Sequence, residues 1–175
     1  MMFDSGARRA FRAQLFLPEQ RGLFDYWLSL HKAGALPSPG DIRPAEIAPL
    51  LPNVCLVEAR EEPEVIRFRL AGTALWDIYG GEMTGRTLAS AEGWGDNAEY
   101  WRRNYRLILE QGAPAAGMLR APGSGLEHMA QFWMRLPLSS DGERPDMLLG
   151  LDMCIAASRM PELEEAEGQR QALRG

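Results

Sequence analysis

The side chains best suited to proton-transfer chemistry in this chain are Asp77, Tyr79, Tyr105, His128 and Asp152, each set among apolar neighbours. An interior Asp, His or Tyr acting on a bound apolar substrate is the chemistry of small cone-shaped isomerases and dehydratases. The spacing does not assemble such a site. By strand parity His128 shares a face with Phe132, whereas Asp152 shares one with Leu148 and Cys154, opposite Leu149, Leu151 and Met153. Parity therefore does not bring His128 and Asp152 together, and no set of nucleophile, base and orienting group is read from spacing. No catalytic residue is assigned and an enzyme is not expected. His128 keeps two readings, contact to a bound molecule or a core histidine bonded to Tyr79, Tyr105 or a backbone carbonyl.

Cys55 and Cys154 lie in strand-like apolar stretches with no Cys or His at metal-ligand spacing, so two buried, reduced thiols and no metal site are expected. His31, on the apolar side near a helix end, reads as a packed or capping histidine.

These residues are held by a recognisable order of elements. From Glu19, the stripe Leu23, Phe24, Trp27, Leu28 and His31, widened by Tyr26 and Leu30, marks a helix that Gly34 ends. An apolar face this wide asks for two neighbours, its own sheet and a second subunit. Five prolines between Leu36 and Asn53 make a rigid connector with one short helical turn. Val54–Ala59 is a strand, and Glu61-Glu62-Pro63 turns it into the next, where Ile66, Phe68 and Leu70 alternate with Arg67 and Arg69. After Gly72, Thr73 caps a short helix with Leu75, Ile78 and Tyr79 on one face, closed by Gly80. Asp96 and Glu99 resemble a capping box that opens a longer helix, whose inner side is Tyr100, Trp101, Asn104, Tyr105 and Ile108 and whose outer strip is Arg102, Arg103 and Arg106.

The last third is β, with strands at Ala115–Ala121, Leu126–Leu138 and Asp146–Ala156 separated by a Pro122-Gly123-Ser124-Gly125 loop and an Asp141-Gly142 turn. The middle strand places His128, Phe132 and Met134 on one face and Met129, Gln131, Trp133 and Arg135 on the other. The Trp27 helix is the expected cover for Met129 and Trp133, which puts helices on both sides of the sheet.

At 175 residues the chain fits one domain with one core. A net charge of -5 gives no general attraction to phosphate, so nucleic acid is not an expected partner. The apolar run MLLGLDMCIAA is interrupted by Asp152 and too short to span a bilayer, and no signal-type run opens the chain; no membrane partner and a cytoplasmic setting are expected.

The element order resembles the PAS sensory fold. Three blocks sharpen the resemblance toward a bacterial PAS family of short, nearly stand-alone domains. The first carries Leu36, Pro37, Ser38, Asp41, Ile42, Pro44 and Leu51-Pro52; the second Arg69, Gly72, Thr73, Gly80, Thr84 and Gly85; the third Pro137-Leu138, Asp141 and Gly142. Singly these are turn and cap residues, and their order and spacing give the specificity. The resemblance spans Phe24 to Ala157. It implies an α+β fold, a five-stranded antiparallel sheet with short helices over one face and the N-terminal helix on the other.

The domain plan is then a flexible segment 1–20, one PAS-like domain 21–158 and an acidic tail 159–175. Phe68, Trp76, Tyr79, Trp101, Tyr105, His128 and Phe132 are the expected pocket lining, with plain core as their other reading. Leu23, Phe24, Trp27, Leu28, Met129 and Trp133 are the expected homodimer or partner interface. Family members commonly bind a small molecule or serve as interaction modules. Thus the expected function is a sensor signalling to a regulatory protein partner, or else a ligand-free dimerisation module. The cofactor is unknown. Flavin is not expected because no Gly-x-Asn-Cys-Arg-Phe-type motif is present, and haem is not expected because neither His31 nor His128 falls on a pocket helix.

Overall fold

In the computed structural model of the chain, which describes residues 4–59, 66–88, 97–123, 125–162 and 165, one antiparallel sheet carries the architecture. Its strands are β1 (Val54–Glu58), β2 (Arg67–Ala71), β3 (Ala115–Arg120), β4 (Met129–Leu138) and β5 (Met147–Ala156), in spatial order β2-β1-β5-β4-β3. The middle strand β5 begins Met-Leu-Leu-Gly-Leu-Asp, and all six of these residues are buried. The apolar residues Met147 to Leu151, without alternation, suit a strand covered on both faces, which an edge strand is not.

Helices α3 (Ala74–Tyr79) and α4 (Ala98–Gln111) cover the front face; α1 (Ser5–Gln14), α2 (Pro18–Ser29) and a 3-10 stretch at Pro44–Asn53 lie on the back. Two cores result. The front core gathers Phe68, Leu75, Tyr79, Trp101, Tyr105, Ile108 and Trp133; the back core gathers Leu23, Phe24, Trp27, Met134, Leu136 and Leu149.

Several expectations are corrected. The apolar stripe of α2 faces the protein's own sheet, with Leu23, Phe24 and Trp27 at 0% exposure and Trp27 Nε1 donating to the Pro137 carbonyl at 2.9 Å. Leu23, Phe24 and Trp27 are therefore taken up within the monomer, while Tyr26, Leu28 and Leu30 stay half-buried. The faces of β4 are exchanged relative to the sequence reading: Phe132, Met134 and Leu136 point back, and Gln131, Trp133 and Arg135 point front. Alternation separates the two sets but cannot say which helix layer each meets when both faces are buried.

Helix α2 ends at Ser29 rather than near Gly34, because the last turn tightens: Leu30 and His31 bond to carbonyls three residues back, and the His31 ring occupies the Trp27 carbonyl at 3.0 Å. Within the segment 1–20, α1 is tied to α2 by Arg12 and Asp25 at 2.7 Å, and Leu15 and Leu17 are buried. Leu70 leaves the face of Phe68, because the register slips between Leu56 and Val57 and sets Leu70 opposite Leu56, half-exposed. Thr73 occupies the N-cap position of α3 with no side-chain capping bond. The Glu61-Glu62-Pro63 turn, Asp96 of the capping box, Ser124 and most of the acidic tail lie outside the described residues.

Candidate functional site

The front face of the sheet carries charge at its centre. Arg135 on β4 and Asp152 on β5 are both 0% exposed, and Nη2 of the arginine lies 2.9 Å from Oδ2 of the aspartate. Strand pairing explains the approach. Arg135 stands opposite Gly150 and Asp152 opposite Trp133, so the two charged residues are diagonal neighbours on one face. Glycine at 150 leaves the volume the guanidinium fills; a Cβ there would overlap Cys55 Sγ and come within 2.9 Å of Arg135 Nη1.

Each guanidinium nitrogen is bonded to the protein. Nε donates to Tyr105 Oη at 3.0 Å, Nη1 to the Met134 carbonyl at 2.9 Å and the Leu151 carbonyl at 3.3 Å, and Nη2 to Asp152. The cation also lies 5.0 Å from the centre of the Trp101 ring, within cation–π range. Asp152 Oδ1 in turn accepts from Tyr79 Oη at 3.0 Å and Gln131 Nε2 at 2.8 Å, and Cys55 Sγ lies 3.8 Å from Oδ2. One polar cluster thus joins α3 through Tyr79, α4 through Tyr105, and strands β1, β4 and β5.

The electrostatics follow from burial. Desolvation and then the Asp152 charge hold the Tyr79 phenol well above its ordinary pKa, and burial raises Tyr105 as well. The Cys55 thiol is pushed up to about 12 by burial. Burial works against the Arg135 charge, but Asp152 and the neighbouring phenols and thiol outweigh it, so the arginine pKa lies well above the ordinary value. The cluster is thus a buried Arg135–Asp152 pair with the Tyr79 and Tyr105 phenols bonded to it.

Of the expected pocket residues, the structure brings Phe68, Tyr79, Trp101 and Tyr105 together. Phe68 and Tyr79 ring centres are 6.0 Å apart, and Trp101 lies 5.8 Å from Tyr105. Trp133, expected at the interface, joins them: its ring is 5.1 Å from Trp101, and its Nε1 donates to Tyr100 Oη at 2.9 Å. Three expected lining residues are elsewhere. Trp76 is 57% exposed on the outer side of α3, because the short helix turns Leu75, Ile78 and Tyr79 inward. His128 is exposed in the turn before β4, where the Met129 amide bonds the Leu126 carbonyl at 2.8 Å and delays the strand to Met129. Phe132 is on the back face against Phe16, with ring centres 5.9 Å apart. Leu28 and Met129 are half-buried.

Sequence reading missed Gln131 and Arg135 as site residues. Their signal was available, since Arg135 interrupts an apolar strand as Asp152 interrupts the next one, and buried charges of opposite sign seek each other.

Cys154 is half-buried, its thiol raised to about 11 by desolvation and by Asp152. Among the described residues no cluster of three His, Cys, Asp or Glu could hold a metal ion, and no helix is long and apolar enough to cross a membrane. An open crevice of about 1240 Å³ runs between the end of α4, His31 and the β4–β5 turn, lined by charges of both signs including Arg8, Glu110, Arg144 and Asp146. It includes no residue of the ion-paired cluster.

A family model described as PAS domain matches residues 16–153. No curated protein matches the chain. Among solved structures, the chain is similar to the PAS domain of Bordetella pertussis BvgS, at 18% identity and a TM-score of 0.44 over 67% of this chain and 89% of that one. It is also similar to a sensory box sensor histidine kinase from Vibrio cholerae, at 17% identity and a TM-score of 0.39 over 64% of this chain and 88% of that one.

Proposed function

Because the chain belongs to the PAS domain family, we propose that it is a non-catalytic sensory module that binds a small molecule over the front face of its sheet and signals to a protein partner. The observation that carries this reading is the buried Arg135–Asp152 pair with Tyr79 and Tyr105 bonded to it. Well-packed apolar residues would often stabilise such a core as well or better, so stability alone does not account for a charged cluster there. It also ties both front helices to the central strands. A molecule that displaces Tyr79 or Tyr105 changes the positions of α3 and α4 together, which is a route from occupancy to an altered surface.

The partner reading is a regulatory protein, with a homodimer as one form of the assembly, in a cytoplasmic setting. Leu23, Phe24 and Trp27 are buried within the monomer, so a surface on α2 would have to use half-buried residues such as Tyr26 and Leu28. A second reading, an interaction module without a ligand, is favoured by one observation: every guanidinium nitrogen of Arg135 is already bonded to protein. A melting screen against a metabolite panel separates the two. A ligand that binds only the folded state raises the midpoint in proportion to its occupancy, and a flat response across the panel supports the second reading.

A further inference from the structure

Among the described residues, one buried side-chain nitrogen or oxygen has no hydrogen-bond partner, and it is Gln131 Oε1. The residue is 0% exposed. Its amide orientation is set by its neighbours. Nε2 donates to Tyr79 Oη and to Asp152 Oδ1, both at 2.8 Å, while the Tyr79 hydroxyl donates its own proton to Asp152. Turning the amide over would put its carbonyl oxygen against the carboxylate and forfeit both donations. The cluster therefore presents an acceptor and offers it no donor.

The surroundings of Gln131 differ from those of Arg135. Gln131 pairs with Leu119 on β3 and Cys154 on β5, both on the front face and both half-buried, and Met129 beyond it is half-buried too. At the other end Trp101, Tyr105 and Trp133 are all at 1% exposure or less. The two cross-strand neighbours of the unpartnered oxygen's own residue are thus both partly open to solvent, as Trp101, Tyr105 and Trp133 are not.

Resting on the small-molecule reading above, we infer that Gln131 Oε1 is the specificity-determining acceptor for a neutral ligand with an N–H or O–H donor on an apolar body, lodged between Leu119 and Cys154. Charge balance supports neutrality, because Arg135 and Asp152 already compensate each other. Apolar Leu119, Met129 and the un-ionised Cys154 thiol suit the ligand body. A site built to accept a hydrogen bond rejects an analogue lacking the donor, because the buried oxygen then stays unpaired.

The test compares matched probes on the full-length protein by calorimetry: benzamide against N,N-dimethylbenzamide, and benzyl alcohol against benzyl methyl ether. The expected result is tighter binding of the donor member of each pair by about tenfold or more. With Gln131→Met the discrimination falls to within about twofold, while circular dichroism shows the fold retained. Equal binding of donor and non-donor probes, or no binding of any of the four, overturns the inference. If native mass spectrometry still finds a retained molecule in that case, the sensory reading stands and only the role of Gln131 fails. If Gln131→Met does not fold, the wild-type probe pairs decide alone.

Discussion

Arg135 and Asp152 meet across β4 and β5 at 2.9 Å with neither side chain reaching solvent, and the contact depends on Gly150 facing the arginine. Breaking such a pair leaves a charge in the interior with no counter-ion. We predict that Asp152→Asn lowers the unfolding free energy by about 3–5 kcal/mol, while the double variant Arg135→Met, Asp152→Leu recovers most of the loss. Denaturant titration measures both. Equal losses in the single and double variants would show that the charge itself is not what the aspartate balances.

Trp27 and Trp76 separate core from surface. Trp27 is fully buried and bonded to the Pro137 carbonyl, so Trp27→Ala should cost about 3–5 kcal/mol whatever the protein concentration. Trp76 is 57% exposed, and Trp76→Glu should change stability by less than about 0.5 kcal/mol. A Trp27 variant that merely shifts a dimer toward monomer in sedimentation, with its melting unchanged, would restore the interface reading for α2.

Two glycines should respond oppositely to alanine. At Gly72 a Cβ would overlap the backbone carbonyl oxygens of Leu51 and Pro52, which cannot swing aside, so Gly72→Ala is expected to be strongly destabilising. In the interior of α2, a Cβ at Gly22 meets nothing within 4 Å, and Gly22→Ala should stabilise by about 0.5–1 kcal/mol. Thermal midpoints of the two variants on opposite sides of the parent would support the packing at both places.

The β4–β5 turn is held by Asp141, whose carboxylate accepts from the Glu143 and Arg144 amides and the Ser139 hydroxyl. The Glu143 amide first, with the other donors, lowers its pKa from 3.8 to about 2. The folded state therefore holds the proton less readily than the unfolded one. The turn's contribution is complete above about pH 4 and is lost as pH falls toward 2. Asp141→Asn should flatten that part of the stability–pH curve, as seen by comparing melting midpoints at pH 4.5 and 2.5; identical slopes in the two proteins would contradict it.

The two thiols should differ in reactivity. Cys55 is buried with its pKa near 12, whereas Cys154 is half-buried and near 11. At pH 8 an aromatic disulfide reagent should label Cys154 slowly and reach Cys55 only after unfolding. Comparable rates at the two positions would mean that the front face is more open than its packing indicates.

Much of this fold was legible from pattern. The alternation read from Leu126 to Leu138, of which Met129–Leu138 forms the strand, and the apolar run from Asp146 to Ala156 marked the two long strands, and Leu75, Ile78 and Tyr79 marked the inward side of α3. The site was legible only in part, for physical reasons. Alternation on a strand buried from both sides is silent about which layer each face meets, so Phe132 and Trp133 were exchanged. His128 resembled a strand residue because a turn and a strand start share polar, alternating sequence. Arg135 carried the strongest unused signal, a charge inside an apolar strand whose partner, Asp152, was already in view. Its surroundings, with Gly150 opposite and Tyr105 from α4, depend on contacts distant in sequence that no local pattern encodes.

Native mass spectrometry of freshly purified protein tests the central claim most directly. The account predicts a species heavier than the bare chain by the mass of a small organic molecule, released on mild denaturation and accompanied by a fall in melting temperature when the protein is stripped. A bare-chain mass, with the same melting temperature before and after stripping, would contradict the sensory reading and leave an interaction module whose front face is filled by its own side chains.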